Sequence, residues 1–591
     1  SRDRAPASIP RSAVPFAALL TVVVSAATAG LVRLDRALLT SGAFRYGRVN
    51  PSEQPVLFYE DGRTATVAIH RSGFDSLYVL TTNGKPDASL TARWLRAAVE
   101  PVPPGPILEQ DESTQMLAPL VTLAHAPGAR AGAVIGHGSG ISSHFLLSDP
   151  RLDSLVTIEI EPRIVDASYL YYPANHRVFD DPRSRIAIAD AKSFFAGRRG
   201  RYDLIVSEPS NPWVSGTASL FSVEFYREVR HRLTGRGVFG QWLHLYETSD
   251  DLVISVLAAL HRSFPAYRAY LVGDSDLLIV ATVADRLPEP DWSLLDGEAL
   301  RRELRHVLPL RADHLRGSRA FERTELAPLL DAWPRPNSDH RPLLDLHSER
   351  TRFEDAFATG VYGLLLDRFR VAAALGGWRL DPTATPGVPI PGLAPQHLRA
   401  VAFEVRRRLV DPAAETPRNL QLPVRHALVT FRRLLSPPAT AEATEEWAAW
   451  LRAFVEIEAT LHAGTAGFAD EAFYRAVRET LGEVEPPATV TDAVTFTEGI
   501  AAWNFEDAAD AARKLVEAAG AGAPLVGALD PGTLLDGAVV SFLRIRDPEA
   551  ADRAYAILAP RARRADTDFR ARLLRAHIAR ALEAPPTGGG P

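Results

Sequence analysis

Apolar and polar residues alternate along the stretch from Pro55 to Ser89. Three dipeptides interrupt the alternation, namely Asp61-Gly62, Ser72-Gly73 and Asn83-Gly84. A period of two is typical of half-buried strands, and dipeptides of this kind favour tight hairpin turns. The pattern therefore predicts a small antiparallel sheet near the start of the chain.

The pattern changes after this stretch to short apolar runs separated by segments with helical periodicity. We predict strands at Ala131 to Ile135, Leu155 to Ile160, Arg185 to Ala189, Tyr202 to Ser207 and Val238 to Leu243. A helix is predicted from Val223 to Leu233, before Gly235. Strands that alternate with helices are typical of a parallel sheet covered by helices on both faces.

The last two apolar runs, Arg268 to Val272 and Leu277 to Thr282, are separated only by "GDSD". A connection this short cannot hold a crossover helix, so the pair must be antiparallel. Five parallel strands closed by such a hairpin resemble the sheet of the AdoMet-dependent methyltransferase superfamily. Such a hairpin is not expected in a nicotinamide-binding Rossmann domain.

Beyond residue 350 the chain loses its strand signals. A Pro-rich stretch from Asp381 to Pro395 reads as a linker, and the following residues are rich in Ala, Leu and Arg. The segments Gly499 to Ala519 and Leu534 to Ala559 look like paired helices and loosely resemble tetratricopeptide repeats. Such helices would serve either as a surface for a partner protein or as a structural cap.

The N-terminal residues Ala13 to Val32 carry no charge and lie between Arg11 and Arg33. About twenty apolar residues suffice to cross a bilayer, so we expect a membrane span here, with a signal peptide or a buried helix as alternatives. Because the chain begins at Ser1, we also expect its N-terminus to have been processed or preceded by further membrane segments.

Composition excludes several function classes. The net charge of −6, with acids and bases mixed, gives no basic face for nucleic acid. The absence of Cys excludes thiolate metal sites and Cys nucleophiles. The spacing of His137, His144, His176 and His244 does not suit a metal, so no metal is predicted.

A glycine-rich loop and three acids point to a nucleoside site. Gly136, Gly138 and Gly140 follow the first predicted strand directly, where the backbone must turn tightly beside a ligand. The next strands end near Glu159, Asp190 and Glu208, and Glu159 follows Gly136 by 23 residues, a spacing at which an acid can bind ribose hydroxyls. Carboxyl ends of neighbouring parallel strands face one crevice, so we expect these acids to share a pocket.

These features resemble the spermidine synthases, or polyamine aminopropyltransferases, and especially the membrane-fused spermidine synthase-like proteins of bacteria. The resemblance runs from about Val56 to Leu346. The motifs that carry it are "NGKPDAS", "DESTQ" (111–115), "GHGSG", "IEIEP", "DAKSFF", "EPSNPWVSGTASLFSVEFY", "GQWLHLYE" and "NSDHRPLLDL" (337–346).

The resemblance implies an alkyl transfer from decarboxylated AdoMet, or AdoMet, to a small-molecule amine. An amine is mostly protonated near pH 7 and must lose a proton before it attacks, so the site needs a carboxylate to accept that proton. The resemblance gives this role to Glu208, at a position where the family usually has Asp. It assigns donor binding to Gly136, Gly138, Ser139, Gly140, Glu159, Asp190 and Gln115. Amine binding falls to Asn211, Trp213 and Tyr246, although Trp213, Trp242 and Tyr246 also suit simple core packing.

Three positions depart from the polyamine-making members. Asn211 stands where they have a second Asp, Ser139 where they have an Asp that grips the donor's amino group, and Thr114 where they have Tyr. Each change weakens recognition of a cation. Two alternatives therefore stay open: a catalytically weakened or inactive transferase fold that serves as an accessory or scaffold subunit of a membrane protein complex, and an AdoMet-dependent methyltransferase.

The expected fold is α/β, with an AdoMet-methyltransferase-like Rossmann sheet. We expect a transmembrane helix with its flanks at 1–40, a small antiparallel β domain at 41–115, the transferase domain at 116–350, a linker at 351–395 and an all-α, repeat-like domain at 396–591. Since sulfonium donors are kept in the cytoplasm, we expect a membrane anchor with the folded domains on the cytoplasmic face.

Overall fold

The computed structural model describes residues 13–31, 35–49, 55–71, 76–105, 110–197, 200–214, 216–307, 310–366, 369–380, 394–564 and 568–584. The N-terminal segment forms three helices, α1 (Ala13–Leu31), α2 (Arg36–Leu39) and α3 (Ala43–Tyr46).

Helix α1 corrects the predicted membrane span. It contains 19 residues, from Ala13 to Leu31. Polar residues such as Thr21, Ser25 and Thr28 interrupt its apolar surface. Within the described ranges, no helix combines the length and hydropathy that a membrane crossing requires. The prediction of a membrane anchor with its domains on the cytoplasmic face is therefore wrong.

A four-stranded antiparallel sheet follows, as the alternating pattern predicts. Its strands are β1 (Val56–Asp61), β2 (Thr66–Arg71), β3 (Leu77–Thr82) and β4 (Lys85–Thr91), paired in chain order. Asn83 and Gly84 join β3 to β4 and both have positive φ, as a tight hairpin turn requires. The predicted turn at Ser72-Gly73 lies outside the described residues. Helices α4 (Ala92–Ala97) and α5 (Gln110–Ala124) lead to the next sheet.

The second sheet has eight strands in the order β12-β10-β11-β9-β8-β5-β6-β7. Strands β5 to β9 run parallel, whereas β10, β11 and β12 pair antiparallel at one end. Their bounds are β5 (Ala131–Ile135), β6 (Ser154–Glu159), β7 (Ser184–Ile188), β8 (Tyr202–Ser207), β9 (Leu233–His244), β10 (Ala266–Leu271), β11 (Asp276–Thr282) and β12 (Arg319–Glu322). The predicted parallel strands and closing hairpin are confirmed.

The centre of this sheet is buried on both faces, since the strand residues Val134, Leu204, Ile205 and Val206 are fully buried. Such continuous apolar runs are typical of parallel strands covered by helices. The covering helices are α6 (Ile141–Leu146), α7 (Pro162–Ser168), α8 (His176–Asp180), α9 (Ala191–Ala196), α10 (Val223–Arg232), α11 (Asp250–His261), α12 (Glu298–Glu303), α13 (Ala312–Arg316) and α14 (Arg323–Asp331).

The C-terminal part is helical and shares a hydrophobic core with one face of the sheet, from Ile205 and Phe239 to Leu535 and Phe569. Its helices are α15 (Leu343–Phe353), α16 (Thr359–Leu366), α17 (Val371–Gly376), α18 (Ala394–Val410), α19 (Gln421–Leu434), α20 (Thr444–Leu461), α21 (Glu471–Gly482), α22 (Ala488–Ala502), α23 (Phe505–Gly520), α24 (Pro531–Arg544), α25 (Pro548–Leu558) and α26 (Phe569–Glu583). Helices α16 and α17 occupy part of the expected linker, whose Pro-rich residues 381–393 lie outside the described residues.

Candidate active site

A cavity of about 340 Å³ opens at the carboxyl ends of β5, β6 and β8, beneath the β3–β4 hairpin. Three features meet there: the end of β5, which the glycine loop follows; the three predicted acids; and the first residues of β4. The polar and charged residues that line it include Thr82, Lys85, Asp87, Asp111, Thr114, Gln115, His137, Ser142, Glu159, Glu161, Asp190, Glu208, Ser210, Asn211, Tyr246 and Asp276.

The first residue of the glycine loop, Gly136, lies at a position that has no room for a side chain. Gly136 has φ of +92°, and a Cβ there would lie 2.4 Å from the backbone oxygen of Glu208. Its N–H donates to the carbonyl of Ile158 at 2.9 Å. The missing side chain thus lets the loop pack directly against the ends of both neighbouring strands. Gly136 and Gly138 line the cavity.

Glu159, the last residue of β6, is hydrogen-bonded to the backbone of the glycine loop. Its carboxylate accepts hydrogen bonds from the N–H groups of His137 and Glu161, each at 2.9 Å. Burial raises the pKa of Glu159 to about 7, and these backbone hydrogen bonds oppose the rise. Asp190 follows β7 and accepts a hydrogen bond from the N–H of Ser193 at 2.8 Å, so it also caps α9.

Glu208 directly follows β8, which pairs with β5 on the edge opposite to β6. Ser142 Oγ donates to its Oε2 at 2.6 Å. Its Oε1 is buried and has no hydrogen-bond partner among the described residues. Burial raises the pKa of Glu208 to about 8, the hydrogen bond from Ser142 lowers it, and the charge of Asp276 raises it further. A buried carboxyl group with a raised pKa and an oxygen that accepts no hydrogen bond from the described residues is suited to bind a basic ligand.

The residues predicted to bind the amine divide into two groups. Asn211 and Tyr246 both line the cavity, and Asn211 Nδ2 donates to the Tyr246 hydroxyl at 3.5 Å. Trp213 does not line it. Its ring is buried among three cations, with Arg352 at 4.7 Å, Lys85 at 5.5 Å and Arg45 at 5.6 Å. Trp242, for which core packing was the favoured expectation, is a cavity residue.

The predicted donor residues divide in the same way. Gln115 lines the cavity and donates from Nε2 to the carbonyl of Ser89 at 3.1 Å. Ser139 is buried behind it and donates to Gln115 Oε1, and Gly140 begins α6 with φ of +83°. Neither Ser139 nor Gly140 is among the residues that line the cavity. Their contribution is therefore to the shape of the loop.

Sequence reasoning assigned no role to five charged residues of the cavity: Lys85, Asp87, Asp111, Glu161 and Asp276. The first three lie inside the motifs "NGKPDAS" and "DESTQ", which were noted only as signs of resemblance. Asp276 lies in the short "GDSD" connection, whose length alone was interpreted. Thr114 Oγ1 donates to Asp276 Oδ2 at 2.7 Å, so one departure from the family contacts one of the missed acids.

The fold and site together define an α/β Rossmann-like methyltransferase fold with a large helical C-terminal part. Within it, residues 111–273 match the family model of the spermine/spermidine synthase domain. This match supports the resemblance to spermidine synthases, and it does not extend to the membrane-fused bacterial subgroup.

Several curated polyamine aminopropyltransferases are similar to this chain. That of Desulforudis audaxviator is 27% identical over 25% of this chain and 54% of the relative. That of Leptospira biflexa is 27% identical over 28% and 58%, and that of Moorella thermoacetica 30% identical over 26% and 53%. The chain spans about half the length of the curated relatives it matches. The solved spermidine synthase of Thermotoga maritima aligns at 18% identity over 39% of this chain and 73% of its own, with a TM-score of 0.31.

Proposed function

We propose that this protein transfers an aminopropyl or other alkyl group from a sulfonium nucleoside to a small-molecule amine. The observation that carries the proposal is the composition of the cavity. One side presents the glycine loop with Glu159 and Asp190, and the other presents Glu208, whose Oε1 is without a hydrogen-bond partner among the described residues. A nucleoside and a basic group would therefore meet in one place.

The charges of the cavity favour decarboxylated AdoMet as the donor, which is the donor that the spermidine synthase family uses. Asp87, Asp111, Glu208 and Asp276 all line the cavity, and Lys85 is the only lysine or arginine among its described lining residues. The charge of Lys85 is already compensated by Asp87. A donor carboxylate would meet like charges there, whereas a donor ammonium would meet opposite ones.

The reaction is a displacement in which the amine nitrogen forms a bond to the methylene carbon beside the sulfonium. The carbon–sulfur bond breaks, and its electron pair stays on sulfur, which leaves as a neutral thioether. The proton lost by the amine passes to the ionised form of Glu208, which a pKa of about 8 leaves in the minority at pH 7. Transfer from an alkylammonium of pKa about 10 to a carboxylate of pKa about 8 costs about 3 kcal/mol, against about 8 for an ordinary Glu. The environment of Glu208 thus suits it to act as the base.

A second candidate is methyl transfer from AdoMet. It is favoured by Ser139, which is buried and hydrogen-bonded to Gln115, so the loop offers no carboxylate to grip a donor ammonium. The carboxylates across the cavity argue against it. The accessory-subunit alternative, with the C-terminal helices as the surface for a protein partner, predicts no turnover at all.

Thermal unfolding with decarboxylated AdoMet, AdoMet or methylthioadenosine tests the proposal. A ligand at a hundred times its Kd should add about 2.7 kcal/mol of stability. We expect decarboxylated AdoMet to stabilise more than AdoMet, and mass spectrometry to detect methylthioadenosine once an amine is added. Release of S-adenosylhomocysteine would instead identify a methyltransferase. If no nucleoside stabilises the protein, the accessory-subunit alternative prevails.

A further inference from the structure

The N-terminal segment that contains α2 and α3 packs against the small sheet beside the cavity. Its Gly42 lies against Gly84, in the turn between β3 and β4, and a Cβ at Gly42 would lie 2.7 Å from the carbonyl oxygen of Gly84. The two backbones therefore touch without an intervening side chain. Asn83 and Lys85, on either side of Gly84, line the cavity. The contact thus brings α3 close to the proposed site.

Arg45 in α3 contacts two further loops with one side chain. Its Nη2 lies 2.9 Å from Glu247 Oε1, and its Nη1 donates to Glu247 Oε2 at 3.3 Å. This bidentate ion pair is largely shielded from water, since the two side chains are only 20% and 13% exposed. The guanidinium also lies 5.6 Å from the centre of the Trp213 ring. Arg45 therefore joins the loop after β8 to the loop after β9. It precedes residues 111–273, so the family match assigns it no role.

Each partner of Arg45 is close in sequence to a residue that is predicted to bind the amine. Glu247 directly follows Tyr246, and Trp213 follows Asn211 by two residues. Asn211 and Tyr246 both line the cavity, but the hydrogen bond between them is long, at 3.5 Å, and therefore weak. Arg45 supplies a shorter, charged link between the same two loops.

The backbone of Glu247 shows why this link matters for Tyr246. Glu247 has φ of +53°, in the left-handed region that residues with a side chain seldom adopt. Two interactions hold it there: its carbonyl accepts from Thr351 Oγ1 at 3.0 Å, and its carboxylate accepts from Arg45. If the ion pair is lost, the turn can relax, and the direction of the preceding Tyr246 side chain changes with it.

We propose that Arg45 is a positioning residue for amine binding, which holds the loops after β8 and β9 so that Asn211 and Tyr246 face one ligand. The inference rests on the proposed function, since it concerns the amine side of that site. Arg45 is not among the described residues that line the cavity, so it acts through Glu247 and Trp213. Nucleoside binding should not depend on it, because the glycine loop belongs to other strand ends.

Calorimetric titration of the protein saturated with methylthioadenosine measures amine binding without turnover. The probes are n-butylamine and 1,4-diaminobutane, and the one that binds the parent protein more tightly is used for the variants. Arg45→Gln should raise its Kd by about tenfold or more, since the amine loses correctly placed hydrogen bonds. The Kd for methylthioadenosine should change less than about twofold. Removal of a positive charge would by itself favour an ammonium, so the expected loss is opposite in sign to a simple charge effect.

Two further variants separate this role from a general structural one. If Arg45 acts through Glu247, then Glu247→Gln should weaken amine binding to a similar extent, and the double variant should weaken it no further. Arg302→Gln is the matched control, because it breaks an exposed ion pair with Glu298, at 3.0 Å in α12, and should leave both Kd values unchanged. Circular dichroism establishes that each variant is folded.

An unchanged or lower amine Kd in folded Arg45→Gln overturns the inference. Equal losses of amine and nucleoside affinity do so as well, since they would indicate a general structural role. If Arg45→Gln does not fold, Glu247→Gln provides the same comparison, and if neither folds, Arg45 is structural and the inference falls.

The parent protein keeps this inference distinct from the proposed function. When the parent binds both nucleoside and amine, a negative result for the variants removes only the role of Arg45. When it binds the nucleoside and neither amine, the inference falls as well. When it binds neither kind of ligand, the proposed function falls with it.

Discussion

The two sides of the cavity are assembled differently. The proposed nucleoside side comes from consecutive strand ends: the glycine loop follows β5, Glu159 ends β6 and Asp190 follows β7. The proposed amine side combines residues that lie far apart in sequence, namely Asp111 in α5, Glu208 after β8 and Asp276 in β11. Consecutive strand ends form a motif that a sequence displays, whereas scattered acids meet only in the folded chain.

The two sides also differ in how their acids are satisfied. Glu159 accepts hydrogen bonds from two backbone N–H groups, one from His137 in the glycine loop and one from Glu161. Glu208 accepts one side-chain hydroxyl and keeps Oε1 without a hydrogen-bond partner among the described residues. Stability therefore explains much of the first arrangement, while the second leaves a buried polar atom whose cost needs a functional reason.

The largest expected effect is on the amine side. Glu208→Gln keeps the size of the side chain and removes the base, so the rate of transfer should fall by roughly 10² to 10⁴. Binding of methylthioadenosine should change less than about twofold, because glutamine keeps an oxygen that can accept the hydrogen bond from Ser142 Oγ. Single-turnover kinetics and titration calorimetry measure the two quantities.

The matched control is Glu208→Asp, which restores the residue that the resemblance leads us to expect there. It should retain transfer within about tenfold of the parent, since a carboxylate base remains. Equal rates for the parent protein and Glu208→Gln would remove the assigned role and, with it, the functional difference between the two sides.

The fold was predictable because its signals are local. Strand β5 has the predicted bounds, and the four-residue connection before Leu277 correctly identified the antiparallel hairpin. Strand β9 begins at Leu233, earlier than predicted, because its register shifts opposite Tyr202 and Leu204. Strand β12 has only four residues, too few for a periodic pattern. The predicted membrane span, argued from some twenty uncharged residues, was wrong, since no helix among the described residues meets the length and hydropathy of a membrane crossing.

The site was predictable where a residue's position in its strand fixes its direction. Glu159, Asp190 and Glu208 line the cavity, as their places at strand ends predict. Ser139 and Trp213 do not, because side-chain packing turns them away: Ser139 towards Gln115 and Trp213 towards three cations. Lys85 was missed since its burial depends on contacts with Ser210 and Trp213, which follow β8 of the other sheet. The catalytic and binding roles assigned to the predicted site residues stay predictions.

The next effect concerns the nucleoside side. Glu159→Gln replaces an acceptor-only carboxylate with an amide that has one acceptor oxygen, so it loses charge-assisted hydrogen bonds of about 1.5–3 kcal/mol. We expect the Kd for methylthioadenosine to rise about tenfold to a hundredfold. Transfer at saturating donor should change far less than in Glu208→Gln. The opposite ranking of the two variants in the two assays would contradict the division of the cavity.

The smallest effect is on stability as a function of pH. The folded-state pKa of Glu208 is raised to about 8 from 4.5, so the folded protein keeps a proton that the unfolded chain releases above about pH 4.5. Its contribution to the free energy of unfolding is complete below that pH and is lost as the pH rises to about 8, with a slope of up to about 1.4 kcal/mol per pH unit. Glu159, with a pKa of about 7, loses its contribution to the free energy of unfolding at a lower pH than Glu208 does.

Between pH 7 and 8 the Tm of the parent should therefore fall more steeply than that of Glu208→Gln, as thermal unfolding in matched buffers would measure. Parallel Tm curves for the two proteins would mean that Glu208 is already ionised in the empty cavity, and the two acids would then differ only in their hydrogen bonds.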